Sequence, residues 1–136
     1  MSNHKRILHI VGARPNFIKV GPLIKAIQGR LPAGQQLLVH TGQHFDSNMS
    51  DIFFEQLGIP YPDINLEVSQ GSALVLLSEM IYRLEDPIKN FSPDCIVVYG
   101  DTNSTLAGAL AGSKLNIPVA HVESGLRSRD NTMPEE

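Results

Sequence analysis

The chain has 136 residues, 42% of them hydrophobic and 18% charged, with a formal net charge of −3 and one cysteine. That length and balance fit one ordinary globular domain with a single core. The small negative charge offers no basic field to nucleic acid or to an anionic membrane surface, and no apolar run is long enough to span a bilayer. The lone Cys95 can form no internal disulfide, and the opening MSNHKRILHIVGAR lacks a small-residue cleavage site, so a cytoplasmic home is expected.

The first strand is expected at Arg6–Val11 (RILHIV), followed by a helix over FIKVGPLIKAIQGR that Pro22 kinks or restarts. A second strand is expected at Gln36–Thr41 (QLLVHT). NMSDIFFEQLG reads as a short helix with Ser47 or Asn48 near its N-cap and Gly58 at its end. SALVLLSEMIYRLEDPIKNF reads as a longer helix disturbed near its end by Pro87. The third strand is expected at Asp94–Tyr99 (DCIVVY). The small-residue run TNSTLAGALAGSKLN suits a helix pressed onto a sheet, and the fourth strand is Ile117–Val122 (IPVAHV). The strands have the continuous apolar, β-branched character of strands buried on both faces. Their alternation with helices predicts an α/β domain with a mainly parallel, Rossmann-like sheet.

Ligands bind such sheets outside the carboxyl ends of the strands. After the four strands come GARPNFIK with Arg14 and Lys19, GQHFD with Gln43 and His44, GDTNST with Asp101, and ESGLR with Glu123 and Arg127. Every strand therefore runs into charged or amide residues, which should converge on one rim. Each also has a plainer reading. Arg14 could cap a turn and Lys19 lie on a solvated face; Asp101 stands where an N-cap is wanted; Gln43 and His44 could satisfy loop backbone. Glu123, directly after VAHV, starts partly buried and needs a partner, for which Arg127 is available. His9 and His121 read as core histidines, His40 lies on an unassigned face, and Cys95 reads as a small core residue. No spacing of histidine, cysteine and acid resembles a metal site. The first turn, Gly12-Ala13-Arg14-Pro15-Asn16-Phe17, puts a cation where the second glycine of a dinucleotide fingerprint belongs. Arginine can instead bind phosphate as a bidentate fork.

The motifs GARPNFIKVGPL, HTGQHFD, YGDTNSTLAGALAGSKLNIPVAHVESGLRS and MPEE reach across the whole chain. They resemble the N-terminal part of the non-hydrolysing UDP-N-acetylglucosamine 2-epimerase family. GARPNFIK and TGQHFD with IFFEQLGIP are most similar to the branch acting on UDP-2,3-diacetamido-2,3-dideoxyglucuronate. The resemblance implies the N-terminal domain of a GT-B-type two-domain fold, a UDP-sugar as partner, and neither NAD nor a metal as cofactor. It implies inversion at the second carbon by elimination and re-addition of UDP. Asp101, Glu123 and Glu135 match the catalytic acids, Arg14 a residue near the diphosphate, and Lys19 a second active-site cation. Gln43 and His44 match a region linked in some members to a regulatory UDP-sugar site. The segment SQGSALVLLSEM departs from the family's entry into the long helix, and Ser124 replaces a more usual alanine. Ending on MPEE, the chain is expected to be a fragment lacking the C-terminal UDP-binding domain, inactive alone and a homodimer at full length. A hydrolysing epimerase and a non-catalytic nucleotide-sugar-binding module stay open as alternatives.

Overall fold

The computed structural model describes residues 5–42, 55–56 and 58–123, apart from the side chain of Arg14. Within them the order is β1 (Ile7–Val11), α1 (Arg14–Gln28), β2 (Gln36–His40), β3 (Ile64–Asn65), α2 (Ala73–Phe91), β4 (Cys95–Tyr99), α3 (Asn103–Lys114) and β5 (Val119–Val122). The sheet runs β3-β2-β1-β4-β5 with every pair parallel. This is the Rossmann-like sheet that the alternating pattern predicts.

Five strands stand where four are expected. The fifth, β3, has two residues in YPDINLEV, too short for any periodicity to register. The helix expected over residues 48–58 falls almost wholly outside the described residues. Neither internal proline breaks its helix. α1 runs through Pro22, whose missing N–H leaves the Ile18 carbonyl on an exposed face, where water can serve it. α2 likewise runs through Pro87 to Phe91 and ends on Ser92 in a left-handed conformation, its N–H donating to the Ile88 carbonyl. α1 also starts earlier than FIK suggests, because Pro15 is compatible with a first helical turn.

Alternate residues of each strand feed two cores. Leu8, Ile10, Val39, Ile96 and Val98 pack with Met80, Leu84 and Ile88 of α2 and with Ala107 and Ala111 of α3. Val11, Leu38, Val97 and Tyr99 pack on the opposite face with Phe17, Val20 and Ile24 of α1. The small residues of α3 are a packing requirement: a Cβ on Gly108 would sit 2.6 Å from a methyl of Val98. His40 faces α1, its ring 5.2 Å from that of Phe17. No helix among the described residues is long and apolar enough to cross a membrane.

His9 is fully buried, as a core histidine should be. Gln36 donates through Nε2 to the Ile24 carbonyl of α1, so its Oε1 accepts from His9 Nε2–H at 2.8 Å. That leaves His9 Nδ1 to accept from the Tyr99 hydroxyl at 2.7 Å. One chain of bonds thus ties three strands to α1. Burial lowers the pKa of His9 below its ordinary 6.5, with the Gln36 bond opposing only in part, and burial raises that of Tyr99. Because unfolding lets His9 take up a proton that the folded chain resists, its stabilising effect is complete above about pH 6.5 and is lost as the pH falls towards the folded value. The His9 ring-proton NMR signals should titrate with a midpoint below 6.5; a midpoint at or above 6.5 would contradict this.

Candidate functional site

The strand order reverses between β1 and β4, and at such a point the crevice of an open sheet opens at the carboxyl ends. The turn leaving β1 is held from within. Asn16 Oδ1 accepts from the backbone N–H of Gly12 at 3.1 Å and of Ala13 at 3.3 Å, while Asn16 Nδ2 donates to the Tyr99 carbonyl at the end of β4. Two N–H groups that a dinucleotide turn would aim at a pyrophosphate are thus turned onto a buried side chain. Gly12 is needed for close approach: a Cβ there would land on Ser104 Oγ, which is hydrogen-bonded to Thr41 Oγ1 at 2.8 Å.

Across the crevice, Lys19 Nζ of α1 lies 2.7 Å from Glu123 Oε2, one residue beyond β5. Their side chains are 29% and 40% exposed, so the pair is open to a ligand. Glu123 has φ +70, the left-handed region that costs a β-carbon-bearing residue about 1 kcal/mol or more. Between β4 and α3 the chain turns at Gly100, φ +71. Its N–H donates to the Val122 carbonyl at 3.2 Å, and its carbonyl accepts from His121 Nε2 at 2.6 Å. A Cβ on Gly100 would stand 3.2 Å from Asn16 Nδ2 and 3.8 Å from Lys19 Nζ. The ends of β1, β4 and β5 therefore meet around Lys19, Glu123 and the Gly100–Asp101 peptide.

Asp101 is exposed beside this group and does not cap α3. The cap is Thr102, whose N–H donates to Thr105 Oγ1, and that hydroxyl in turn donates to the Tyr99 carbonyl at 2.7 Å. Among the described residues the partner of Glu123 is Lys19, and the pairing with Arg127 that the sequence suggests lies outside them. Arg127, Gln43, His44 and Glu135 lie outside the described residues, and Arg14 is placed by its backbone alone, as the first residue of α1. The reading of His121 as a core histidine fails: it is only partly buried and sits near the strand's exit, bonded to the Gly100 carbonyl. Asn16 and Thr105 escape the sequence reading as well. Both stand at the third position of a helix, where a side chain can reach back to the cap, and both become visible once the helix starts are known. Among the described residues, no group of three or more histidine, cysteine or acidic side chains could hold a metal ion.

A Rossmann-like sheet with an acid and a lysine paired at its carboxyl edge defines a class, the open α/β proteins that keep their ligand sites at that edge. Comparison with known proteins narrows it: the chain belongs to the UDP-N-acetylglucosamine 2-epimerase family, whose model matches residues 28–136. It is 54% identical over 131 residues to the UDP-2,3-diacetamido-2,3-dideoxy-D-glucuronate 2-epimerase of Pseudomonas aeruginosa, covering 96% of this chain and 37% of that protein. It is 46% identical over 127 residues to the UDP-N-acetylglucosamine 2-epimerase of Methanocaldococcus jannaschii, covering 93% of this chain and 34% of that protein. A crystal structure of the M. jannaschii enzyme in complex with UDP-GlcNAc and UDP superposes with a TM-score of 0.87 at 44% identity, over 96% of this chain and 36% of that one. The chain thus spans about a third of the length of these relatives.

Proposed function

We propose that the full-length protein carrying this chain is a UDP-N-acetylglucosamine 2-epimerase that converts UDP-GlcNAc to UDP-ManNAc by elimination and re-addition of UDP. The observation that carries this reading is the Lys19–Glu123 pair beside Asp101 at the carboxyl edge, in a chain of this family. In this proposal a base removes the proton on the second carbon, the C–H electron pair becomes the double bond to the anomeric carbon, and the anomeric C–O bond breaks with its electrons leaving on UDP. UDP oxygen then adds back to the anomeric carbon, and a proton is delivered to the opposite face of the second carbon. No carbonyl acidifies that proton, so its removal has to accompany departure of UDP and positive charge at the anomeric carbon. Carboxylates can act as base, steady that charge and return the proton. Asp101, Glu123 and Glu135 are assigned these parts. Arg14 and Lys19 are assigned to the anionic diphosphate and the active-site charge, and Gln43, His44 and Arg127 to further substrate contacts.

The chain is assigned as the first of two Rossmann-like domains, with uridine contacts in a second, in a cytoplasmic homodimer. The apolar side chains that α2 leaves exposed, Leu74 at 79% and Tyr82 at 77%, are consistent with a protein partner on that face. A second substrate reading, the diacetamido-uronate sugar nucleotide, is favoured by the higher identity to the P. aeruginosa relative. The test is turnover of both UDP-sugars by the full-length protein, with products separated by anion exchange. Epimerised UDP-sugar is expected from one of them. Free UDP and free sugar as the main products would mark a hydrolysing enzyme, and no turnover of either would overturn the proposal.

A further inference from the structure

We infer that His121 is a positioning residue for the Gly100–Asp101 peptide, and through it for the Asp101 carboxylate; the catalytic side of this inference rests on the function proposed above. Gly100, the residue after β4, is held through both its N–H and its carbonyl, which belong to successive peptide planes. Gly100 N–H, on the preceding peptide, is held by the carbonyl of Val122, the last residue of β5, just beyond the β4–β5 ladder. Gly100 carbonyl is instead held by a side chain, His121 Nε2, at 2.6 Å. A carbonyl can only accept, so Nε2 carries the proton. That carbonyl belongs to the same rigid plane as the Asp101 N–H, so the imidazole sets the plane from which the Asp101 side chain departs. Gly100 is in the left-handed region and has no β-carbon to hinder rotation of that plane, and a β-carbon there would be tight against Asn16 Nδ2 at 3.2 Å. Without the imidazole donor the peptide is free to turn while the strands keep their register, and Asp101 moves with it relative to the Lys19–Glu123 pair. His121 therefore acts through Asp101 and touches no substrate.

The test uses two variants and two readouts. His121→Leu removes the donor, and His121→Gln returns an N–H donor at similar reach. In the 136-residue chain, long-range 15N correlation should place the His121 proton on Nε2. The Asp101 amide shift should move in His121→Leu and return towards wild type in His121→Gln, with amide shifts of β1 and β2 unchanged. In the full-length protein, His121→Leu should lower kcat by about 10- to 100-fold with KM changed less than about threefold, and His121→Gln should recover most of the loss. A proton on Nδ1 alone, or an Asp101 amide indifferent to both variants, overturns the inference whatever the enzyme does. Equal loss in both variants, in step with lowered melting temperature, also overturns it, since a structural role alone would then explain the effect. Absence of epimerisation in the wild-type protein would count against the proposed function, and the NMR result would then decide for or against the clamp by itself.

Discussion

Replacing Glu123 by Gln in the full-length protein is expected to lower kcat by about 10²- to 10⁴-fold, the range for loss of a positioned acid or base. The amide keeps the size of the side chain and can still accept from Lys19 Nζ, which now lies 2.7 Å from Oε2. What disappears is the negative charge and the ability to take a proton. Stability should barely change, because an ion pair as exposed as this one contributes little to folding. Glu123→Gly sharpens the contrast. At φ +70 glycine relieves a conformation that glutamate holds under strain, so the variant should melt no lower than wild type while losing turnover as completely. That pairing of equal or higher stability with lost activity marks a residue kept for chemistry. A Glu123→Gln enzyme within about threefold of wild type would remove Glu123 from the mechanism.

Gly42→Ala is expected to lower the folding stability by about 3 to 4 kcal/mol. Gly42 lies two residues beyond β2 with φ +96, where an L-residue is strained. Its Cβ would meet the backbone that follows β3, 2.8 Å from Val68 N and 2.9 Å from Glu67 Cα. Those atoms cannot turn aside as a side-chain tip could, and Val68 N–H is committed to the Thr41 carbonyl at 2.9 Å. Moving them apart would open that bond as well as strain the turn. Gly34→Ala is the control, since φ there is +85 but nothing lies within 4 Å of the added carbon. It should cost only the strain, about 1 kcal/mol. Urea unfolding of the two variants reads the difference, and equal losses would mean that the close approach at Gly42 yields easily.

The site is more legible in the sequence than the details of the fold that carry it. A parallel sheet gathers the loops leaving its strands at one rim, so the order of strands and polar loops is enough to bring Lys19, Glu123 and Asp101 together. The features that escape are set by local geometry that periodicity does not encode. Pro22 and Pro87 look like helix breaks, yet each removes a single hydrogen bond in a helix held by packing on its other side. β3 is too short to leave a pattern, and its two residues pair because Val39 and His40 offer an edge. Asp101 looks like the cap of α3 because acids favour that position, but the turn at Gly100 places Thr102 there. The pairing of Lys19 with Glu123 depends on how α1 passes the end of β5, which is a matter of packing. His121 misleads for a similar reason. A histidine in an apolar run is usually core, and only its pairing register shows that it stands at the exit, facing the Gly100 carbonyl.

The most direct measurement is to run the full-length protein with UDP-N-acetylglucosamine, and in parallel with the diacetamido-uronate sugar nucleotide, in heavy water, tracking the proton on the second carbon by NMR. Elimination and re-addition requires that proton to leave the sugar and a solvent-derived one to return, so the epimer should carry deuterium there, and incorporation should vanish with turnover in Glu123→Gln. Epimer formed with its original hydrogen retained at the second carbon would contradict the elimination mechanism and, with it, the roles given to Asp101 and Glu123.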